Sequence, residues 1–110
     1  MTEIKAVLWD FGGVITSSPF EAFNRFEAKR NIPQDFIRKL NTINSNANAW
    51  ARFERGEITL EEFDRAFEQE SEALGHAIRG ADVIALLGGE IRPKMVDALK
   101  RCADHFKVAC

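Results

Sequence analysis

Apolar residues recur with two different rhythms along the chain. Ile4, Ala6, Val7, Leu8 and Trp9 make a short, nearly continuous apolar run that Asp10-Phe11-Gly12-Gly13 stops. Such a run predicts a strand buried on both faces, as in the parallel sheets of α/β folds. The glycine pair predicts a turn that a side chain would obstruct. From Phe20 onward the rhythm is helical. Phe20, Ala22, Phe23 and Phe26 share one side of a helix predicted from about Phe20 to Arg30. Pro33 is the expected first residue of the next, with Phe36, Ile37, Leu40 and Ile43 inward. The polar stretch Asn41–Asn48 reads as a loop, and Trp50 and Phe53 as a short helix ended by Gly56. Thr59-Leu60-Glu61-Glu62 is a capping box. Leu60, Phe63, Phe67 and Leu74 then share a face that Gly75 closes. Ala81–Leu87 is short and apolar, with Gly88-Gly89 behind it. Arg92-Pro93 opens a last helix that turns Met95, Val96, Leu99, Cys102 and Ala103 inward, and Phe106–Cys110 reads as a second strand.

The two strands lie about 95 residues apart, whereas a βαβ unit needs only about 30. Roughly 70 residues of helix are therefore inserted straight after the first strand, and are expected to form a layer or lid over its carboxyl end. Two parallel strands cannot bury both faces, and sheets of this class have more. The pattern thus predicts an α/β fold: the first part of a doubly wound parallel, Rossmann-like core with a helical insertion after strand 1. The expected segments are 1–17 (first strand and catalytic loop), 18–89 (helices) and 90–110 (returning helix and start of the second strand). Unpaired sheet edges predict self-association in trans.

Composition narrows the partners. The chain has 110 residues, one small domain's worth. Its 15 Lys+Arg and 17 Asp+Glu leave a formal charge of −2, which gives no basic field for nucleic acid. With 45% hydrophobic and 29% charged residues, wholesale disorder is excluded. The longest apolar runs, Ala6–Trp9 and Val83–Leu87, fall far short of the about 20 residues of a membrane span. No basic region followed by a long apolar one marks a signal peptide. Two cysteines, Cys102 and Cys110, make no disulfide framework, so a reduced, cytoplasmic setting is expected.

The chemistry concentrates at Val7-Leu8-Trp9-Asp10-Phe11-Gly12-Gly13-Val14-Ile15-Thr16. An Asp at the carboxyl end of such a strand sits where open α/β sheets place ligands. Its carboxylate can act as a nucleophile or ligate Mg²⁺, a hard cation that prefers oxygen; the local pattern equally allows an Asp that only caps the turn. Thr16 and Ser17 are candidate donors to substrate, with turn and cap chemistry as the alternative. Trp50, Arg52 and Arg55 are candidate substrate contacts, with packing and a solvated helix face as theirs. His76 and His105 are too far apart, and too poor in Cys or acidic company, to predict a zinc site.

The strand followed by Asp10-Phe11-Gly12-Gly13-Val14-Ile15 resembles the first motif of the haloacid dehalogenase-like hydrolases. Asn31-Ile32-Pro33, the stretch Trp50–Thr59 and Arg92-Pro93 resemble its helical-cap branch, which includes the amino-terminal phosphatase domain of soluble epoxide hydrolase and sugar-phosphate phosphatases. The resemblance implies hydrolysis of a phosphate ester on a small phosphorylated metabolite through an aspartyl-phosphate. Asp10 matches the nucleophile and metal ligand, and Mg²⁺ is the implied cofactor. Gly12 stands where the family usually has a second Asp; it keeps the main-chain carbonyl for Mg²⁺ and lacks the carboxylate that serves as general acid/base. Thr16, Trp50 and Arg52 are the implied substrate contacts. The later motifs, a Ser or Thr, a Lys or Arg and an acidic pair, are assigned to no residue of the 110, and Lys94 and Lys100 read as surface. The chain alone is therefore expected to be inactive or nearly so. Alternatives are carbon–halogen hydrolysis on Asp10 and a non-catalytic module that keeps the fold.

Overall fold

The computed structural model describes residues 3–110. In chain order the elements are β1 (Ala6–Leu8), α1 (Pro19–Lys29), α2 (Phe36–Thr42), α3 (Ala49–Glu54), α4 (Leu60–Ala73), α5 (Gly80–Ala85), α6 (Pro93–His105) and β2 (Lys107–Ala109). They fall into two units. One takes the chain up to Pro19 together with Gly89–Cys110; the other is Phe20–Gly88.

In the strand unit, β1 and β2 pair in parallel with Ala6 opposite Lys107, Val7 opposite Val108 and Leu8 opposite Ala109. The ladder continues at both ends: the Lys107 N–H donates to the Lys5 carbonyl (3.1 Å) and the Trp9 N–H to the Ala109 carbonyl (2.8 Å). Parallel strands need a crossover, and α6 supplies its last helix. Pro93 opens α6 because its fixed φ suits a first helical turn whose N–H has no partner. The expectation of a strand buried on both faces is not met. Leu8 is 80% exposed, Ala6 is exposed and only Val7 is half-buried. The reason is the two-strand width, which leaves one face without a covering layer. Likewise, the residues of α6 predicted to point inward are half-buried (Met95, Val96, Leu99, Cys102) or, at Ala103, exposed.

The helical unit has a continuous apolar core. Phe23, Ile37, Leu40, Phe63, Phe67 and Ile78 are buried within it. Phe63 is its centre: the Phe53 ring stacks on it at 4.7 Å, Trp50 meets it edge-on at 5.8 Å and Phe67 lies at 5.5 Å. The capping box forms as read. Thr59 Oγ1 accepts from the Glu62 N–H, and a Glu62 oxygen accepts from the Thr59 N–H, both at 3.2 Å. Asn48 caps α3 by accepting from the Ala51 N–H at 2.8 Å. Gly56 and Gly75 take φ of +73° and +102°, the left-handed values that end helices.

Three local readings are corrected. Pro33 does not begin α2; Asp35 takes φ +64°, and the helix starts at Phe36. Its free N–H groups are satisfied from outside, because the fully buried Glu27 carboxylate accepts from the N–H groups of Asp35 (3.0 Å) and Ile37 (2.9 Å). The helix also runs through Thr42, one turn into the predicted loop, after which the chain becomes extended at Ile43. Finally, Ile43, Leu60 and Leu74 are 52%, 50% and 47% exposed. They sit at helix ends, where the apolar stripe overruns the core it faces.

Candidate functional site

Asp10 is the first residue past the β1–β2 ladder, at the carboxyl end of β1, and it is exposed. The N–H of Phe11 donates to its Oδ1 at 2.8 Å, which orients the carboxylate against its own backbone. The chain then coils tightly. The Phe11 carbonyl accepts from the N–H groups of Val14 (3.1 Å), Ile15 (2.9 Å) and Thr16 (3.2 Å). Gly13 takes φ +81°, where a side chain would be strained. Gly12 is different. Its φ lies outside the left-handed range, and a Cβ built on it would meet nothing within 4 Å.

Thr16 is buried and closes the loop. Its hydroxyl accepts from the Gly13 N–H at 3.4 Å and donates to the Ser17 carbonyl at 3.2 Å. The exit from the loop is fastened to the returning chain by an antiparallel bridge, Thr16 to Ile91. The Arg92 N–H donates to the Ile15 carbonyl, and the Ser17 N–H to the Glu90 carbonyl, both at 2.7 Å. The Glu90 N–H in turn donates to Ser17 Oγ at 2.9 Å. An open cleft of about 630 Å³ lies along this join, lined by Ser17 and by Glu90 through Met95. Sequence periodicity had not linked Ser17 to Glu90–Arg92; the nearby Gly88-Gly89 and Arg92-Pro93 breaks were the only visible sign of a special segment.

The structure thus gathers Asp10, Gly12 and Thr16 into one loop. Trp50 and Arg52 belong to the helical unit. Two residues apart on α3, they are turned about 200° from each other, so Trp50 packs on Phe63 while Arg52 is exposed. Arg55 is engaged locally. Its guanidinium donates to both Glu57 carboxylate oxygens (2.7 and 3.2 Å) and to the Asn46 carbonyl (2.9 Å). That pairing raises the Arg55 pKa and lowers that of Glu57. Among the described residues no three His, Cys, Asp or Glu side chains cluster closely enough to cage a metal ion. No helix among them is long and apolar enough to cross a membrane.

Comparison with known proteins places this architecture. The chain has the fold of part of a HAD-hydrolase. Its match is YfnB from Bacillus subtilis, assigned as a HAD-hydrolase and solved bound to magnesium; the two superpose over 97% of the present chain with a TM-score of 0.55 at 20% identity. The chain spans 51% of that structure, about half its length. Acyl-CoA dehydrogenase family member 10 of Mus musculus is 35% identical over 63 residues, which are 57% of this chain and 6% of that protein. No protein-family model matches the chain.

Proposed function

We propose that the chain carries the phosphoryl-accepting site of a haloacid dehalogenase-like hydrolase that acts, in the cytoplasm, on a small phosphorylated metabolite. One observation carries the reading: a lone exposed carboxylate, Asp10, stands at the carboxyl end of a parallel strand with its orientation held by the Phe11 N–H. In an α/β fold that is the ligand-facing end of the sheet. An Asp10 oxygen attacks phosphorus, the bond to the leaving oxygen breaks, and an aspartyl-phosphate forms that water later opens. Trp50 and Arg52 are the proposed substrate contacts of the helical unit. Thr16, whose hydroxyl is used inside the loop, serves the site by holding the loop's shape.

The donor set suits Mg²⁺. The Asp10 carboxylate and the Gly12 main-chain carbonyl are both oxygens on exposed positions, and Mg²⁺ commonly takes one or two carboxylates and leaves its remaining positions to water and phosphate. Bound there, Mg²⁺ would offset charge as the carboxylate meets the phosphoryl group. Full turnover would also use the cation and acidic pair that the resemblance implies, so the covalent step is the quantity to measure.

The test is trapping of the phosphorylated protein. Wild-type chain with Mg²⁺ and a phosphoryl donor is expected to acquire one phosphoryl group at Asp10, and Asp10→Asn none. An acyl-phosphate adduct retained in Asp10→Asn would refute the assignment. Chelation is expected to stop labelling; hydrolysis of a haloacid undisturbed by chelator would move the reading to carbon–halogen chemistry.

A further inference from the structure

The space above Gly12 decides which phosphoryl donors the Asp10 site can use, an inference that rests on the phosphoryl-transfer reading above. Nothing in the backbone demands glycine at this position. Its φ is one that any residue adopts, and a Cβ would stand in open space. A side chain would fit there, yet none is present to hand a proton to a departing oxygen. From Asp10 to Ser18 the only titratable side chain is Asp10 itself, which is the attacking group. The Thr16 hydroxyl gives its proton to the Ser17 carbonyl, and Ser17 Oγ is tied to the Glu90 N–H.

A leaving group that departs from such a loop must carry its own electron pair without help. General-acid assistance is worth about 10²–10⁴-fold, and the need for it grows with the basicity of the leaving oxygen. An alkoxide is about as basic as hydroxide, whose conjugate acid has a pKa of about 16. A phenolate corresponds to about 10 and a carboxylate to about 4. We infer that the Asp10 site takes phosphoryl groups from activated donors, acyl phosphates above all, and discriminates against simple alkyl phosphate esters. In the favoured step an Asp10 carboxylate oxygen bonds to phosphorus. The P–O bond of the acyl phosphate breaks with its electron pair going to the departing carboxylate. No proton is transferred and nothing is oxidised or reduced.

The experiment uses the full 110-residue chain with Mg²⁺ and acetyl phosphate, phenyl phosphate or glycerol 3-phosphate, following the mass increment of one phosphoryl group at Asp10. Initial labelling rates are expected to fall in that order, with acetyl phosphate at least roughly 10²-fold faster than glycerol 3-phosphate. Gly12→Asp is expected to raise labelling by glycerol 3-phosphate about 10²-fold and to leave acetyl phosphate nearly unchanged. Gly12→Ala, which fills the same space without an acid, should keep the wild-type gradient and serves as the folding control. Equal rates from acetyl phosphate and glycerol 3-phosphate in the wild type would overturn the inference while leaving Asp10 as acceptor. A gradient that persists unchanged in a folded Gly12→Asp variant would overturn the role given to Gly12. Absence of label from acetyl phosphate would refute the phosphoryl-accepting site itself, and the inference with it.

Discussion

Ser17 and Glu90, 73 residues apart in sequence, exchange two hydrogen bonds: the Ser17 N–H donates to the Glu90 carbonyl at 2.7 Å, and the Glu90 N–H donates to Ser17 Oγ at 2.9 Å. Together with the Thr16–Ile91 bridge they tie the end of the Asp10 loop to the chain as it returns. Ser17→Ala removes the acceptor of the Glu90 N–H. A loss of about 1 kcal/mol is expected, read from the midpoint of urea unfolding, together with slower labelling of Asp10 as the loop end loosens. An unchanged midpoint would show that water replaces the hydroxyl without cost.

Glu27 is the cap of α2, although it lies in α1. Its buried carboxylate accepts from two backbone N–H groups, and hydrogen bonds to a charged group contribute about 1.5–3 kcal/mol each. Glu27→Ala leaves those donors buried and unpaired, and is expected to destabilise the chain by about 3 kcal/mol or more. Glu27→Gln, which keeps one acceptor oxygen, should lose distinctly less. Circular dichroism during thermal unfolding separates the two.

Gly80 is where α5 meets α4. A Cβ there would stand 2.7 Å from the Phe63 ring and 2.8 Å from the Asp64 Cα. Gly80→Ala should therefore cost about 1–3 kcal/mol through overpacking, even though alanine is the better helix former. A neutral or stabilising outcome in denaturant titration would mean that the two helices separate without penalty.

Asp64 makes the helical unit sensitive to acid. Its Oδ1 accepts from the Ala81 N–H at the start of α5 and its Oδ2 from Arg79, both at 2.7 Å. The Ala81 N–H first, and then the Arg79 guanidinium, lower its pKa below the usual carboxylate range. A depressed folded pKa means that the stabilisation is complete above the unfolded value, about 3.9, and is lost as pH falls through the lower folded one. Thermal midpoints of the wild type should therefore drop below about pH 4. Asp64→Asn should start lower and show a flatter acid limb; equal slopes for both proteins would assign the acid loss to other groups.

Local grammar was legible in the sequence. The Thr59–Glu62 box, the Asn48 region before α3, Pro93 at the start of α6, and Gly56 and Gly75 each act within a few residues, so spacing alone exposes them. The strand that ends at Asp10 and the turn at Gly13 belong to the same class. Long-range features were not legible. A charged residue such as Glu27 carries no mark that says it is buried, because its partners are backbone groups eight and ten residues on. Gly80 looks like any glycine until Phe63 lies against it. Periodicity defines an apolar stripe but not where the core beneath it stops, hence the exposed Ile43, Leu60 and Leu74. The apolar run at β1 likewise predicted two covering layers, and Leu8 lies open because burial depends on what else packs there.

The join at Ser17 and Glu90 has an architectural consequence. The Phe20–Gly88 segment departs from, and re-enters, its host at neighbouring backbone positions already clasped together. A segment anchored in that way is a cassette: its length and sequence can change without altering the distance the host must span. Replacing it with a short linker would keep the Thr16–Ile91 clasp in register, and transplanting a different helical cassette at the same two points would redirect selectivity while the Asp10 loop stayed as it is.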